Sequence, residues 1–176
     1  GKLTVDGTTT PFVIDKTSSV NPFVEIANSS QNENRWQTIG NVFFQYNALD
    51  WLSFKTTFAA GIENGRNSSA YGALSNAGVT LNNKNSASVE QTENFNYTWD
   101  NQIDIKKTFN EVHDFSALLL QSLYSNVDQS SFSSSNGMPF DTGFYNLGAG
   151  VQSSYNLATM YSKNSLSSYA VRINYT

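Results

Sequence analysis

The chain has 176 residues, of which 39% are hydrophobic, 14% aromatic and only 14% charged, against a charged share of about 25% in ordinary soluble domains. Formal net charge is -4, which leaves no basic footprint for nucleic acid. Cysteine is absent, excluding a disulfide framework, a Cys-rich zinc site and a thiol nucleophile.

Asn, Ser, Thr and Gln replace the missing charge. Regularly spaced aromatic and branched residues argue against disorder over most of the length. No apolar run approaches the length of a membrane helix. The chain starts at Gly1-Lys2 without a signal peptide, so it is expected to be a mature, processed or partial polypeptide.

Lys2 to Val5 is a short extended run, Asp6-Gly7 is a hairpin-turn dipeptide, and Phe12-Val13-Ile14 resumes the apolar pattern. Residues 21–35, rich in Asn and Ser, read as a loop. From Trp36 the alternation is clean. Trp36, Thr38, Gly40, Val42, Phe44 and Tyr46 share one face, with Gln37, Ile39, Asn41, Phe43, Gln45 and Asn47 opposite. A tight turn at Ala48-Leu49-Asp50 follows. Leu52, Phe54, Thr56, Phe58, Ala60 and Ile62 then face one way, with Ser53, Lys55, Thr57, Ala59, Gly61 and Glu63 opposite. Lys and Glu on one face of a long strand call for water on that side.

A loop is expected from about residue 64 to 86. The next strand carries Val89, Phe95, Tyr97, Trp99, Ile103 and Ile105 on its apolar face, and Glu90, Thr92, Asn94, Asn96, Asp100, Asp104 and Lys106 on its polar face. Residues 110–114 make another short turn. Phe115 to about Gln129 is a further strand whose faces are unassigned, because Leu118-Leu119-Leu120 breaks the alternation. A second long loop is expected from about residue 130 to 164. The last strand sets Ser167, Tyr169, Val171, Ile173 and Tyr175 against Ser168, Ala170, Arg172 and Asn174.

Apolar residues recur at period two, which argues against helix. Short turns on one side and long loops on the other are the pattern of an all-β, antiparallel transmembrane β-barrel, with the short turns periplasmic and the long loops extracellular. A soluble β-sandwich with one buried face is the bland alternative, but its strands are typically about five or six residues long. Those here run longer and carry aromatics where membrane interfaces fall.

Candidate chemistry is sparse. His113, the one histidine, reads as a solvated turn residue with no nucleophile partner. Asp100 and Asp104 share a strand face but sit near Lys106 and suit a wetted wall better than an acid/base pair. Asp128 and Asp141 lack calcium-loop spacing. Gly148-Ala149-Gly150 is too short for a nucleotide fingerprint. No catalytic, cofactor or metal site is expected. Trp36, Phe44, Tyr46, Phe54, Phe58, Tyr97, Trp99, Tyr169 and Tyr175 read as lipid-facing or girdle residues. The aromatics within the loops, Tyr71, Phe140, Phe144, Tyr145 and Tyr155, are the candidates for ligand or partner contact.

The run from Asn21-Pro22-Phe23-Val24-Glu25-Ile26-Ala27 to Trp36-Gln37-Thr38-Ile39-Gly40-Asn41-Val42-Phe43-Phe44-Gln45-Tyr46 resembles the barrel of SusC/RagA-type TonB-dependent transporters of Bacteroidetes. The turn Leu49-Asp50-Trp51-Leu52, the strand from Asn94 to Phe109 leading to His113, and the loop with Gly137-Met138-Pro139 and Tyr145-Asn146-Leu147-Gly148 are similar in order and spacing. So is the closing Ser168-Tyr169-Ala170-Val171-Arg172-Ile173-Asn174-Tyr175. The resemblance implies a 22-stranded outer-membrane barrel with a plug in its lumen, contacts with membrane lipid, and a SusD-like surface lipoprotein. It also implies import of glycans, peptides or similar nutrients driven through TonB. This sequence lacks a recognisable plug and TonB box, so residues 1–176 correspond to a partial barrel domain, and TonB would be reached through parts absent from it. A complete small barrel for anchoring or adhesion, and a soluble carbohydrate-binding β-domain, are the alternatives.

Overall fold

A computed structural model describes residues 2–5, 8–11, 22–138 and 142–176. Two strands, β1 (Lys2–Val5) and β2 (Thr8–Pro11), pair antiparallel with Lys2 opposite Pro11 and Val5 opposite Thr8. The expected Asp6-Gly7 turn and the Phe12-Val13-Ile14 run lie outside the described residues.

The rest is dominated by five long strands: β3 (Ser29–Leu49), β4 (Leu52–Tyr71), β5 (Asn85–Phe109), β6 (His113–Met138) and β7 (Asn156–Tyr175). They form one sheet in the order β3-β4-β5-β6-β7, so each pairs with its neighbour in sequence and β3 and β7 are the edges. The meander is all-β and antiparallel, and no described helix is long and apolar enough to cross a membrane.

The strands are longer than the alternation indicates, and the loops correspondingly shorter. The expected loop over 21–35 is instead a one-turn helix, α1 (Pro22–Ala27), followed directly by β3. Proline sits at the first helical position, where a missing N–H costs nothing. The expected loop over 64–86 shrinks to 72–84 and contains a second short helix, α2 (Asn76–Thr80). Of the loop expected over 130–164, residues 130–138 belong to β6 and 156–164 to β7, and the described residues 142–155 carry three 3₁₀ turns. These short helices are local exceptions to the expectation of no helix. The strand ends were misread because Asn, Ser and Gly fill both of their faces, which leaves no alternation to detect.

The two expected short turns are present but tighter: Ala48 and Leu49 belong to β3, and His113 and Asp114 to β6. Asp50 and Trp51 join β3 to β4. Residues 110–112 join β5 to β6, with Asn110 and Glu111 at φ +52 and +58, the left-handed pair that matches hairpin twist.

Two compact units divide the chain. One comprises Trp36–Asn64, Glu93–Gln129 and Met160–Thr176 and contains both short turns. The other comprises Gly1–Arg35, Gly65–Thr92 and Ser130–Thr159 and contains α1, α2 and both long loops. In the second unit the core is small: Ala70, Ala87, Met138 and Phe144, flanked by Val89, Leu147 and Ala149.

Candidate interaction surfaces

In the short-turn unit, cross-strand contacts fix which residues share a face. Phe58 stacks on Tyr97 at 5.8 Å. Trp99 Nε1 donates to Thr56 Oγ1 at 2.9 Å, and Thr56 Oγ1 donates to Asn101 Oδ1 at 2.8 Å. Even residues of β4 therefore stand beside odd residues of β5. An apolar hollow of about 400 Å³, whose lining includes Phe54, Ile103, Leu119, Leu120, Tyr169 and Val171, continues across β6 and β7. Every expected girdle residue belongs to this parity. Trp36, Tyr169 and Tyr175 are 75%, 75% and 65% exposed, and Val42, Phe44, Tyr46 and Ile173 are exposed beside them. Contiguous exposed apolar patches of this kind mark interaction or membrane surfaces more often than free surface. Three polar groups on this face, those of Trp99, Thr56 and Asn101, bond to one another and so lower the cost of standing among apolar side chains.

At the edge next to the turns, Lys107 Nζ lies over the rings of Trp51 (5.1 Å) and Phe109 (5.3 Å). His113 stacks on Tyr175 at 5.8 Å, with Nδ1 and the phenol oxygen 2.6 Å apart. His113 thus opens β6, and its polar partner is Tyr175.

The opposite face is a hydrogen-bonded web. Asn94 Nδ2 donates to Asn126 Oδ1 (2.7 Å) and Asp128 Oδ1 (2.6 Å), and Asn96 Nδ2 donates to Asn94 Oδ1 (2.8 Å). Ser122 Oγ donates to Asp100, and Gln102 Nε2 to Asp104 Oδ2. These bonds assign β6, which alternation alone left open: Ser122, Asn126 and Asp128 lie on the polar face, and Leu118 and Leu120 share that parity. Asp100 and Asp104 are therefore engaged by Ser122 and Gln102, not by each other. Near the turn, an open polar hollow of about 750 Å³ is lined by Gln45, Asn47, Ser53, Lys55, Asp104 and Lys106 among others. Lys55 Nζ sits 5.3 Å over the Phe43 ring, so Phe43, an apolar residue on the polar face, has a cationic partner there.

In the long-loop unit, Glu25 Oε2 of α1 accepts from Asn76 N at 2.8 Å, and Asn28 O accepts from Gly72 N at 2.7 Å. Ser75 is fully buried; its hydroxyl donates to Gly72 O and accepts from Gly78 N. The 142–155 segment folds back on the end of β6. Val151 N donates to Asn136 O (2.9 Å), and Tyr155 OH donates to Gly148 O (2.9 Å). A Cβ on Gly150 would lie 1.8 Å from Ser135 Oγ, so only glycine fits there.

The loop aromatics separate accordingly. Tyr71 is the last residue of β4, not a loop residue, and its hydroxyl accepts from Gln31. Phe144 is buried in the small core. Tyr155 braces its own segment. Tyr145 is 82% exposed and tilted against Phe144 at 4.7 Å. Phe140 lies outside the described residues. Between β4, β5, β6 and this segment is a pocket of about 300 Å³ whose lining includes Arg66, Gln91, Ser131, Ser133, Phe144 and Tyr145. Sequence reasoning missed it, because it depends on a loop folding back. Among the described residues no group of three metal-ligating side chains comes together.

No family model matches this sequence, and neither does any curated protein. Among solved structures, the chain is similar to a chain of the RagAB peptide transporter, with a TM-score of 0.75 and 19% identity over 85% of this chain and 16% of that one. It is similar to chains of the RagAB peptide importer in the "closed-closed" and "open-open" states, each with a TM-score of 0.76, 19% identity and the same coverage. At that identity the likeness is one of fold. This chain spans about one sixth of the length of the chains it matches.

Proposed function

We propose that the five-stranded sheet is a wall segment of a large TonB-dependent outer-membrane transporter of the SusC/RagA type, with no catalytic role of its own. The observation that carries this is the two-faced sheet of the short-turn unit. One face is too apolar and aromatic for water. The other is a web of Asn, Asp, Ser, Gln and Lys that requires it. Only a wall between lipid and a wet lumen suits both.

Three further points support the reading. The strands have 20 to 26 residues, whereas a tilted membrane strand needs about 9–11, so each carries a long stretch beyond a bilayer. The exposed edges β3 and β7 cannot stay open in lipid and call for neighbouring strands. The fold likeness to RagAB importer chains is of the same kind. A soluble sandwich needs a second sheet of comparable size, and among the described residues the only other sheet has two strands.

On this reading the polar face lines the path of a nutrient, a glycan, peptide or similar molecule. A SusD-like lipoprotein and the nutrient would meet the 72–84 and 142–155 segments, with Tyr145 the most exposed aromatic offered to them. TonB would act through parts of the protein outside this chain. Exchanging both loops in the full-length protein for unrelated loops of equal length is expected to abolish uptake and partner capture, while the barrel still inserts. Uptake and capture that survive both exchanges would remove the loops from the function.

A further inference from the structure

The apolar row of β5 is bounded by a charge at each end. Phe95, Tyr97, Trp99, Ile103 and Ile105 share one parity, and Asn101, the polar member of that row, is bonded to Thr56. Glu93 precedes the row and Lys107 follows it, both at the same parity and both exposed. From Phe95 to Ile105 is eleven residues, and a tilted strand crosses the hydrocarbon of a bilayer in about 9–11. Lys107 is therefore the first charge on this face past a stretch of membrane length, at the end nearest the short turns. The row, Lys107 and the rings around it all belong to one compact unit.

Lys107 is held in place without being neutralised. Its ammonium stands 5.1 Å from the centre of the Trp51 ring and 5.3 Å from that of Phe109. Ring faces fix a cation through their quadrupoles and carry no net charge to cancel it. Lys107 forms no ion pair among the described residues. Acidic side chains near it in sequence or across the turn are engaged elsewhere. Asp50 and Asp104 line the polar hollow with Lys55 and Lys106, and Asp114 accepts from Thr108 Oγ1 at 2.6 Å. A lysine that lays its stem on apolar surface keeps its head in the polar layer, the layer that tryptophan also favours.

We infer that Lys107, positioned by Trp51 and Phe109, binds the phosphate of an anionic phospholipid in the leaflet on the short-turn side, whose acyl chains cover Leu52, Phe54, Ile103 and Ile105. The inference rests on the outer-membrane reading above. A phosphate free in water would meet one cation and nothing else, whereas the lipid adds contact with the adjoining apolar row, so the lipid is the occupant the placement favours. Lys55 is the matched control: it too lies over a ring, that of Phe43, but it lines the polar hollow.

The test uses the full-length protein in phosphatidylcholine vesicles that contain photoactivatable phosphatidylglycerol or, separately, photoactivatable phosphatidylcholine, each with its diazirine beside the headgroup. Cross-links are located by mass spectrometry. In wild type, the peptide holding Lys107 and Phe109 is expected to take about five-fold more label from phosphatidylglycerol, the preference that one lysine near a membrane surface supplies. Lys107→Gln is expected to abolish that preference and Trp51→Leu to lower it, whereas Lys107→Arg and Lys55→Gln keep it. Heat-modifiable migration on gels verifies that each variant is a folded barrel, and Trp51→Leu keeps the test open if Lys107→Gln does not fold.

Equal labelling by the two lipids in wild type, or a preference that survives in both folded variants, would overturn the inference. So would loss of the preference on adding millimolar glycerol 1-phosphate, which would give the site to a soluble phosphate. Failure of the outer-membrane reading is separately visible: the protein would enter no vesicle and take label from neither lipid.

Discussion

Thr56 shows how a single hydroxyl can decide whether a polar residue is tolerated on an apolar face. It accepts from the Trp99 indole and donates to the Asn101 amide, so three polar groups close on one another. Thr56→Val keeps the shape and strands the other two. The expected cost is about 1–3 kcal/mol for unsatisfied groups, read as a lower midpoint of urea unfolding in lipid vesicles; an unchanged midpoint would mean that water already reaches this row. Glu111 is a second informative residue. It holds φ +58 without being glycine, a conformation that costs an ordinary side chain about 1–2 kcal/mol. Glu111→Gly is therefore expected to raise stability by up to about 1 kcal/mol in the same assay. A loss would show that the Glu111 side chain contributes more than its backbone strain.

At the scale of the strand, neighbouring positions should have opposite tolerances. Val42 stands on the apolar row of β3 and Asn41 on the polar one. Val42→Arg is expected to destabilise the inserted state by about 2–4 kcal/mol near the bilayer midplane, whereas Asn41→Arg is expected to change it little. Reversal of that order would swap the two faces. The same alternation explains what was legible from sequence. Trp36 to Tyr46 and Phe54 to Ile62 were readable because an apolar face and a polar face write a period of two. Leu118-Leu119-Leu120 was not, since three apolar residues in a row occupy both parities. The bonds from Ser122 to Asp100 and from Asn94 to Asn126 assigned that strand. Beyond the apolar stretch both faces are polar, so residues 64–71, 130–138 and 156–164 look like loop even though they are strand. The Arg66 pocket was invisible for a different reason: Phe144 and Tyr145 reach it only because the chain after β6 turns back on the strands.

For the molecule as a whole, the exposed edges of β3 and β7 set the expectation. Mass spectrometry of the outer-membrane fraction should find these sequences within a polypeptide several times larger than 19.4 kDa, with peptides on both sides of the segment. A mature protein of that mass alone would instead favour the complete small barrel.

The order β3-β4-β5-β6-β7 also governs how such a wall is made. Every pairing joins chain neighbours, and two of the four close across turns of only a few residues, at Asp50–Trp51 and at 110–112. Short closures have a low entropic cost, whereas each longer one adds to the search. The hairpins β3–β4 and β5–β6 are therefore the pairings with the least chain to close. Their union waits on the 72–84 segment, where Ser75, Gly72 and Gly78 lock together. On the proposed reading, the segment that decorates the wall is also the closure that joins its two hairpins.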